Sequence, residues 1–500
     1  MSGRRRRQRD RPSGPRPRIR VELTGVAHGG EALGRVDGRV VFVPHGLPGE
    51  IVVAEITQDK GDYARAEIVE IERRAPERTV PLCAYAGTCG GCQWQHAEYP
   101  AQLGFKRAIV AEQLRRIGGF ADAESLVLPT LGMADPWYYR NHARFSVGRR
   151  YGEVGFTRAG TRSLLRIDHC RISHPQINAV LERVQRRLPG LSAHQLAVRV
   201  GANTGDRLIN PALPPLAALG DSAGSPPPRD GAQESSDGHT GSRDEGTGDD
   251  SAAPPEHVPA PPHPGVSPDV RAARADTIEL ASGQLDLHEE LLGRRFRVAS
   301  ATFFQVNTRR ELRGPDFPSP ATVARFGHLI PEDGLSMAEA LVLIGLDRLD
   351  PHPEDVVVDA YCGVGTFAAL LAPLVRAVIG IEESGAAVKD ADLNCADLPN
   401  ARFVVGKVEH VLPSLAERAT PAERPTKVLL DPARVGCEPP VLEALIVAEP
   451  ERIVYVSCEP ATLARDLAIL RDGGYTLRSV QPIDMFPQTY HVESVSLLTR

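Results

Sequence analysis

The 500-residue chain is 42% hydrophobic with a formal net charge of −6, which is apolar material for about two to four domain cores. It holds no apolar run of the roughly 18 residues that a membrane span requires, and no apolar segment follows its first arginines. We therefore expect a cytoplasmic protein with neither span nor secretory leader, whose eight cysteines serve metal binding or catalysis rather than disulfides.

Residues 1–18 are rich in Arg, Pro and Gly and lack apolar periodicity, so they read as a disordered basic tail. Such a tail either grips phosphates or is simply solvated. From 19 to 77, short alternating runs at 20–25, 38–43, 50–56 and 64–71 are punctuated by Gly and Pro. That pattern predicts a small closed β-barrel of the OB-like kind, which binds nucleic acid across its strand face and loops. Next comes Cys83, then Cys89-Gly90-Gly91-Cys92, with Cys170 far downstream. Four thiolates suit zinc or an iron–sulfur cluster equally, and spacing does not choose between them. These residues open a central α+β domain over about 78–300. Within it, the stretch 136–145 interleaves aromatics with Arg, Asn and His, which suits either an RNA contact or core aromatics at a strand start.

Residues about 215–272 are rich in Pro, Ser, Gly and acids, and 221–256 alone carry nine acidic and two basic side chains. The rest of the chain is thus close to neutral. The segment reads as a disordered insertion inside the central domain. Strands are expected again at 277–280 and 296–299, and a shorter irregular insertion at about 312–333. A third domain, 301–500, follows. A buried strand at 355–359 leads into Tyr361-Cys362-Gly363-Val364-Gly365-Thr366, a Gly turn and helix start that let backbone approach a ligand. A second strand ends in Glu382, an acid placed to hold two ribose hydroxyls. A later strand ends in Asp431, beside the same cleft. The strand at 452–456 then stops at Ser457-Cys458-Glu459-Pro460 before a helix at 461–471. Cys458 therefore sits at a strand's carboxyl end beside a helix start, where the helix dipole favours a thiolate.

The motif SC-x-P-ATLARD at 457–466, followed by DMFP-x-T-x-HVE at 484–493, resembles the RNA uracil-C5 methyltransferase family over about 19–500, apart from the two insertions. The resemblance implies that Cys458 is the nucleophile and Glu493 the base. It implies a Rossmann-like class I S-adenosylmethionine (SAM) methyltransferase domain, with Gln305 of Phe303-Phe304-Gln305-Val306-Asn307, Tyr361, Thr366, Glu382 and Asp431 around the donor. The string from Gly34 to Glu50 resembles a TRAM domain, and the four cysteines match the 4Fe-4S pattern of part of the family. Departures are Glu459 for the usual Asn, Gln488 for His, His142 for Lys in the YRN stretch, and Lys407 where an adenine-contacting residue is usual, a contact that stays open with Glu409 as one candidate for it. Cys362 is the rival nucleophile. The expected activity is methylation of a uridine C5 in structured RNA, ribosomal RNA before transfer RNA, by a monomer acting through a Cys–C6 adduct. The alternatives are an iron–sulfur RNA-binding module without catalysis, or a SAM-dependent enzyme acting on another base. Ala433, standing where RNA cytosine-C5 enzymes often place a Cys, counts against cytosine.

Overall fold

The computed structural model describes residues 16–148, 152–188, 193–213, 281–311, 317–418 and 424–500. The first fifteen residues of the basic tail, the acidic insertion and the strand expected at 277–280 lie outside the described residues.

Five strands form the N-terminal barrel: β1 (Arg18–Val26), β2 (Ala32–Val36), β3 (Arg39–Val43), β4 (Ile51–Asp59) and β5 (Tyr63–Arg73). Their order is β1-β2-β3-β5-β4, and β1 pairs with β4 to close it. Alternation decides which side chains fill it: Val21, Leu23, Val41, Val43 and Val52 point inward, and Ala54, Ala64 and Ala66 keep the bore small. The sequence did not announce β2, whose pattern is broken by Gly34. A Cβ there would lie 2.3 Å from the Glu22 carbonyl oxygen, so glycine is what lets β1 cross so closely.

Helix α1 (Tyr99–Arg116) and the single turn α2 (Ala123–Leu126) follow. The central sheet is built from β6 (His142–Val147), β7 (Val154–Thr157), β8 (Leu164–Arg166), β9 (Gln195–Val200) and β10 (Arg207–Asn210), in the order β10-β9-β6-β7-β8, with α3 (Pro175–Val184) packed on it. A hairpin of β11 (Asp286–Leu291) and β12 (Arg294–Ala299) completes this half.

The stretch expected to be irregular at 312–333 instead holds α4 (Pro320–Phe326). Ser319 caps it by accepting from the Thr322 amide, a Ser-Pro start that a composition-based reading passes over. Beyond α5 (Met337–Leu349), strands β13 (Val356–Ala360), β14 (Ala377–Glu382), β15 (Ala401–Val405), β16 (Lys427–Leu430), β17 (Arg452–Ser457), β18 (Thr476–Ile483) and β19 (Glu493–Thr499) form one seven-stranded sheet. Helices α6 (Thr366–Leu371), α7 (Gly385–Asn394), α8 (Val408–Arg418), α9 (Pro439–Ala448) and α10 (Pro460–Asp472) connect them. The order is β15-β14-β13-β16-β17-β19-β18, all parallel except β19, which runs antiparallel to both neighbours. Chain order reverses at β13, the switch point where open α/β sheets bind ligands at the strands' carboxyl ends.

Helix α1 precedes the central sheet in the chain but not in space. Its Val110 and Leu114, with Phe120 beyond it, share one core with Leu463, Leu467 and Val480 of the third domain.

Candidate active site

At the carboxyl end of β13 the chain turns through Tyr361 at φ +65°, Gly363 at +54° and Gly365 at +81°, and Thr366 opens α6. At Gly363 a Cβ would meet nothing within 4 Å, so the turn's backbone borders open space. Glu382, at the tip of β14, accepts from the Gly363 amide at 3.2 Å and the Ser384 amide at 2.8 Å. Asp431 follows β16 on the other side.

Between them lies a carboxylate that the sequence reading did not single out. Asp359 is 1% exposed and accepts from the Ala368 amide at 2.9 Å, while its Oδ1 is buried without a partner. Burial, then Asp431 and Glu382, pushes its carboxyl up to about 8. Burial pushes Asp431 up to about 7. Three carboxyls with one orphaned oxygen make a place where a cation is favoured, and SAM carries a sulfonium. The donor set therefore fits SAM. Glu409 acts on the Tyr361 phenol, so it reaches this side of the cleft, and Lys407 is drawn to Glu409 at 3.5 Å. Gln305 lines a cavity with Asn141, His142, Arg199, Glu289 and Phe304, a set that does not include Tyr361, Glu382 or Asp431.

The register of β17 and β19 pairs Val456 with Val495 and Ser457 with Ser494. Cys458 and Glu493 are the residues next to that last pair, and Glu493 lies near enough to act on the Cys458 thiol. The thiol, however, is not activated as the helix start suggested. Burial, then Glu493, pushes Cys458 up to about 12, and Arg434 works against this. Glu493 is 5% exposed, and burial followed by Asp431 holds its carboxyl well above the usual range, opposed by Arg434 and Lys106. Cys362 is buried in the donor turn, its thiol pushed up by burial first and then by Asp359 and Glu382, which makes it a poorer nucleophile still.

The loop between β18 and β19 is held from outside the sheet. Lys106 of α1 pairs with Asp484 and donates to the carbonyls of Phe486 at 3.0 Å and His491 at 2.7 Å. Tyr139 donates to the Pro487 carbonyl at 3.0 Å, and the amides of Gln93 and Trp94 both donate to that of Gln488 at 3.0 Å. The barrel reaches the same place. Trp94 Nε1 donates to the Gly30 carbonyl at 2.9 Å, and His28 lies 3.3 Å from Glu459. Tyr139 and Asn141 are buried, so the aromatic–basic stretch serves packing at these positions.

Cys83, Cys89, Cys92 and Cys170 all line one cavity, with Tyr85, Arg140 and Arg171. The Gly91 amide donates to Cys89 Sγ at 3.4 Å, and Asn178 fixes Cys170 through its amide and carbonyl. Burial raises the Cys83, Cys89 and Cys92 thiols, the last to about 12, and Cys170 raises each further. Among the described residues, no three His, Cys, Asp or Glu side chains form a group that closes on a single ion. Nor is any helix among them long and apolar enough to cross a membrane.

The sheet order, the glycine turn and the acid at the tip of β14 define a class I SAM-dependent methyltransferase. Residues 15–69 match the TRAM domain family and residues 421–500 the tRNA (uracil-5-)-methyltransferase family. Uncharacterized RNA methyltransferases of Thermosynechococcus vestitus and Gloeobacter violaceus are each 34% identical over 96% of this chain, which covers 98% and 96% of theirs. The structure of the Pyrococcus abyssi tRNA (uracil-54, C5)-methyltransferase with S-adenosyl-L-homocysteine is similar in fold, with a TM-score of 0.60 at 19% identity over 96% of this chain and 100% of that one. The chain belongs to the RNA uracil-C5 methyltransferase family.

Proposed function

We propose that the protein methylates C5 of a uridine in structured RNA, ribosomal RNA in preference to transfer RNA, with Cys458 as nucleophile and Glu493 as base. The observation that supports this reading is the β17–β19 pairing, which ends at Ser457 and Ser494, the residues adjoining Cys458 and Glu493. The Cys458 thiolate adds to C6, forming the S–C6 bond while the C5–C6 π pair moves into the ring as an enolate that makes C5 nucleophilic. SAM would be held by Glu382, Tyr361, Thr366 and Asp431 and would supply the methyl group, departing as S-adenosylhomocysteine, whereas Gln305, expected at the donor, lines a cavity apart from that set. The Glu493 carboxylate then takes the C5 proton, the electron pair re-forms the C5–C6 double bond, and sulfur departs as thiolate. A stacked uridine does not reach such a site, so the base is extruded.

The four cysteines would hold a 4Fe-4S cluster that ties Cys170 to the 83–92 segment. The donor set supports this reading, because buried thiols that raise one another gain from a shared cationic core. All four line one cavity, and the choice of a cluster over zinc rests on the resemblance of their spacing to the 4Fe-4S pattern. Anaerobically purified protein is expected to carry about four irons per chain, and stoichiometric zinc would overturn that assignment.

The preference for ribosomal RNA rests on the combination of TRAM domain and four cysteines. Mapping 5-methyluridine in ribosomal and transfer RNA with and without the gene tests it, and loss from transfer RNA alone would reverse it. Cys458 and Glu493 are both raised and must each shed a proton to act, so turnover should rise with pH above the ordinary glutamate range. A rate that falls with pH there would sink the assignment of both.

A further inference from the structure

Lys106 is 0% exposed, and a lysine without water must have its charge and its donors matched by protein. An ammonium has three donors, and all three go to one loop, at Asp484 and at the carbonyls of Phe486 and His491. One turn earlier on the same face of α1, Gln102 accepts from the Gln488 amide at 3.0 Å and donates to Gln488 Oε1 at 3.0 Å. The loop has no ladder of its own here, and Gln488 stands at φ +70°, so these bonds decide its path. Its last anchored carbonyl, at His491, is two residues before Glu493. The path of the loop thus fixes where β19 begins and how the Glu493 carboxyl faces Cys458. Helix α1 is also the direct continuation of the segment that leaves the cysteine cavity at Cys92.

We propose that Lys106 is the positioning residue for the proton-removal step: its ammonium gathers the 484–491 loop and thereby sets Glu493 near the nucleophile. The inference rests on the reading of Glu493 as the base. Lys106 is fully buried with its donors on the 484–491 loop, so its effect falls on release of the methylated adduct and not on formation of the bond to C6.

The test uses the full-length protein with Lys106→Met, which keeps chain length and apolar contact. Because this leaves Asp484 buried without its partner, Lys106→Met/Asp484→Asn is measured beside it. Expected for the variants are a covalent complex with 5-fluorouridine RNA within about twofold of wild type and a KM for SAM changed by less than about twofold. Steady-state turnover should fall at least about tenfold, with a methylated complex accumulating on ordinary uridine RNA. Wild-type release in both variants overturns the proposal. So does parallel loss of every step, misfolding included, because that leaves Lys106 a structural role only. Glu493→Gln, run alongside, separates the two levels. If it accumulates the complex while the Lys106 variants release normally, only the positioning role fails. If it turns over normally, the base assignment fails and takes the positioning role with it.

Discussion

On the donor side of the cleft, Asp359, Tyr361, Thr366 and Glu382 belong to one βαβ unit of two adjacent parallel strands, and backbone amides of that unit donate to Glu382 and to one oxygen of Asp359. On the base side, Cys458 and Glu493 come from paired strands, yet the loop leading to Glu493 is held by side chains and amides drawn from residues 93–139. The donor side is therefore local and self-supporting. The base side is assembled from pieces hundreds of residues apart, so its failures are expected to come from distant substitutions as well as near ones.

The largest effect should come from Cys458→Ala. It should lower methylation by at least about a thousandfold while SAM affinity stays within about twofold. Covalent capture of 5-fluorouridine RNA by this variant would instead make Cys362 the nucleophile. Glu382→Ala probes the local side alone. Removing a charged acceptor for the donor's hydroxyls should raise KM for SAM by about tenfold to a hundredfold, with turnover at saturating donor nearly intact. An equal fall in both parameters would show that the two sides are not separable.

A smaller effect is expected from the barrel. Gly30 lies at φ +87°, and a Cβ there would sit 3.0 Å from Tyr490 Cβ and 3.3 Å from Trp94 Nε1. Gly30→Val should cost about 1–3 kcal/mol and slow turnover without changing SAM binding. Unaltered turnover would remove the barrel from the base side. The smallest effect is on stability. Because Glu493 is raised in the folded state, it keeps its proton there while the unfolded chain ionises. Its contribution is therefore full below the ordinary glutamate value and lost as pH rises through the folded value. Glu493→Gln cannot ionise, so its Tm should gain on wild type by a few degrees from pH 5 to pH 8. A Tm difference that is the same at both pH values would mean that Glu493 is not protonated at rest.

The same contrast explains what was legible in the sequence. Glycine turns and strand-tip acids announce themselves because their partners lie within the same unit, so the fold, the donor turn and the position of Glu382 could all be read. Cys458 and Glu493 were found through long terminal motifs that resemble a known family, but the raised thiol at Cys458 was not, since burial is a property of the assembled molecule. Lys106 and Asp484 carry no signal of their pairing in the sequence. No local pattern marks two charges that neutralise each other only after the chain has folded. Asp359 was hidden for a related reason, as a strand's acid whose outward oxygen has no partner gives no periodic signal.

The spacing between Lys106 and Asp484, 378 residues, also bears on how the molecule is made. At a ribosomal rate of about 5–20 residues per second, the lysine waits roughly 20 to 75 seconds for its counter-charge to be translated. Through that interval α1 cannot settle into its final core, because Leu463, Leu467 and Val480 also do not yet exist. The barrel and the glycine turn can form as they emerge, whereas Glu493 is mounted only after the 484–491 loop has been translated. A nascent chain that stops short of this loop holds α1 without its final core.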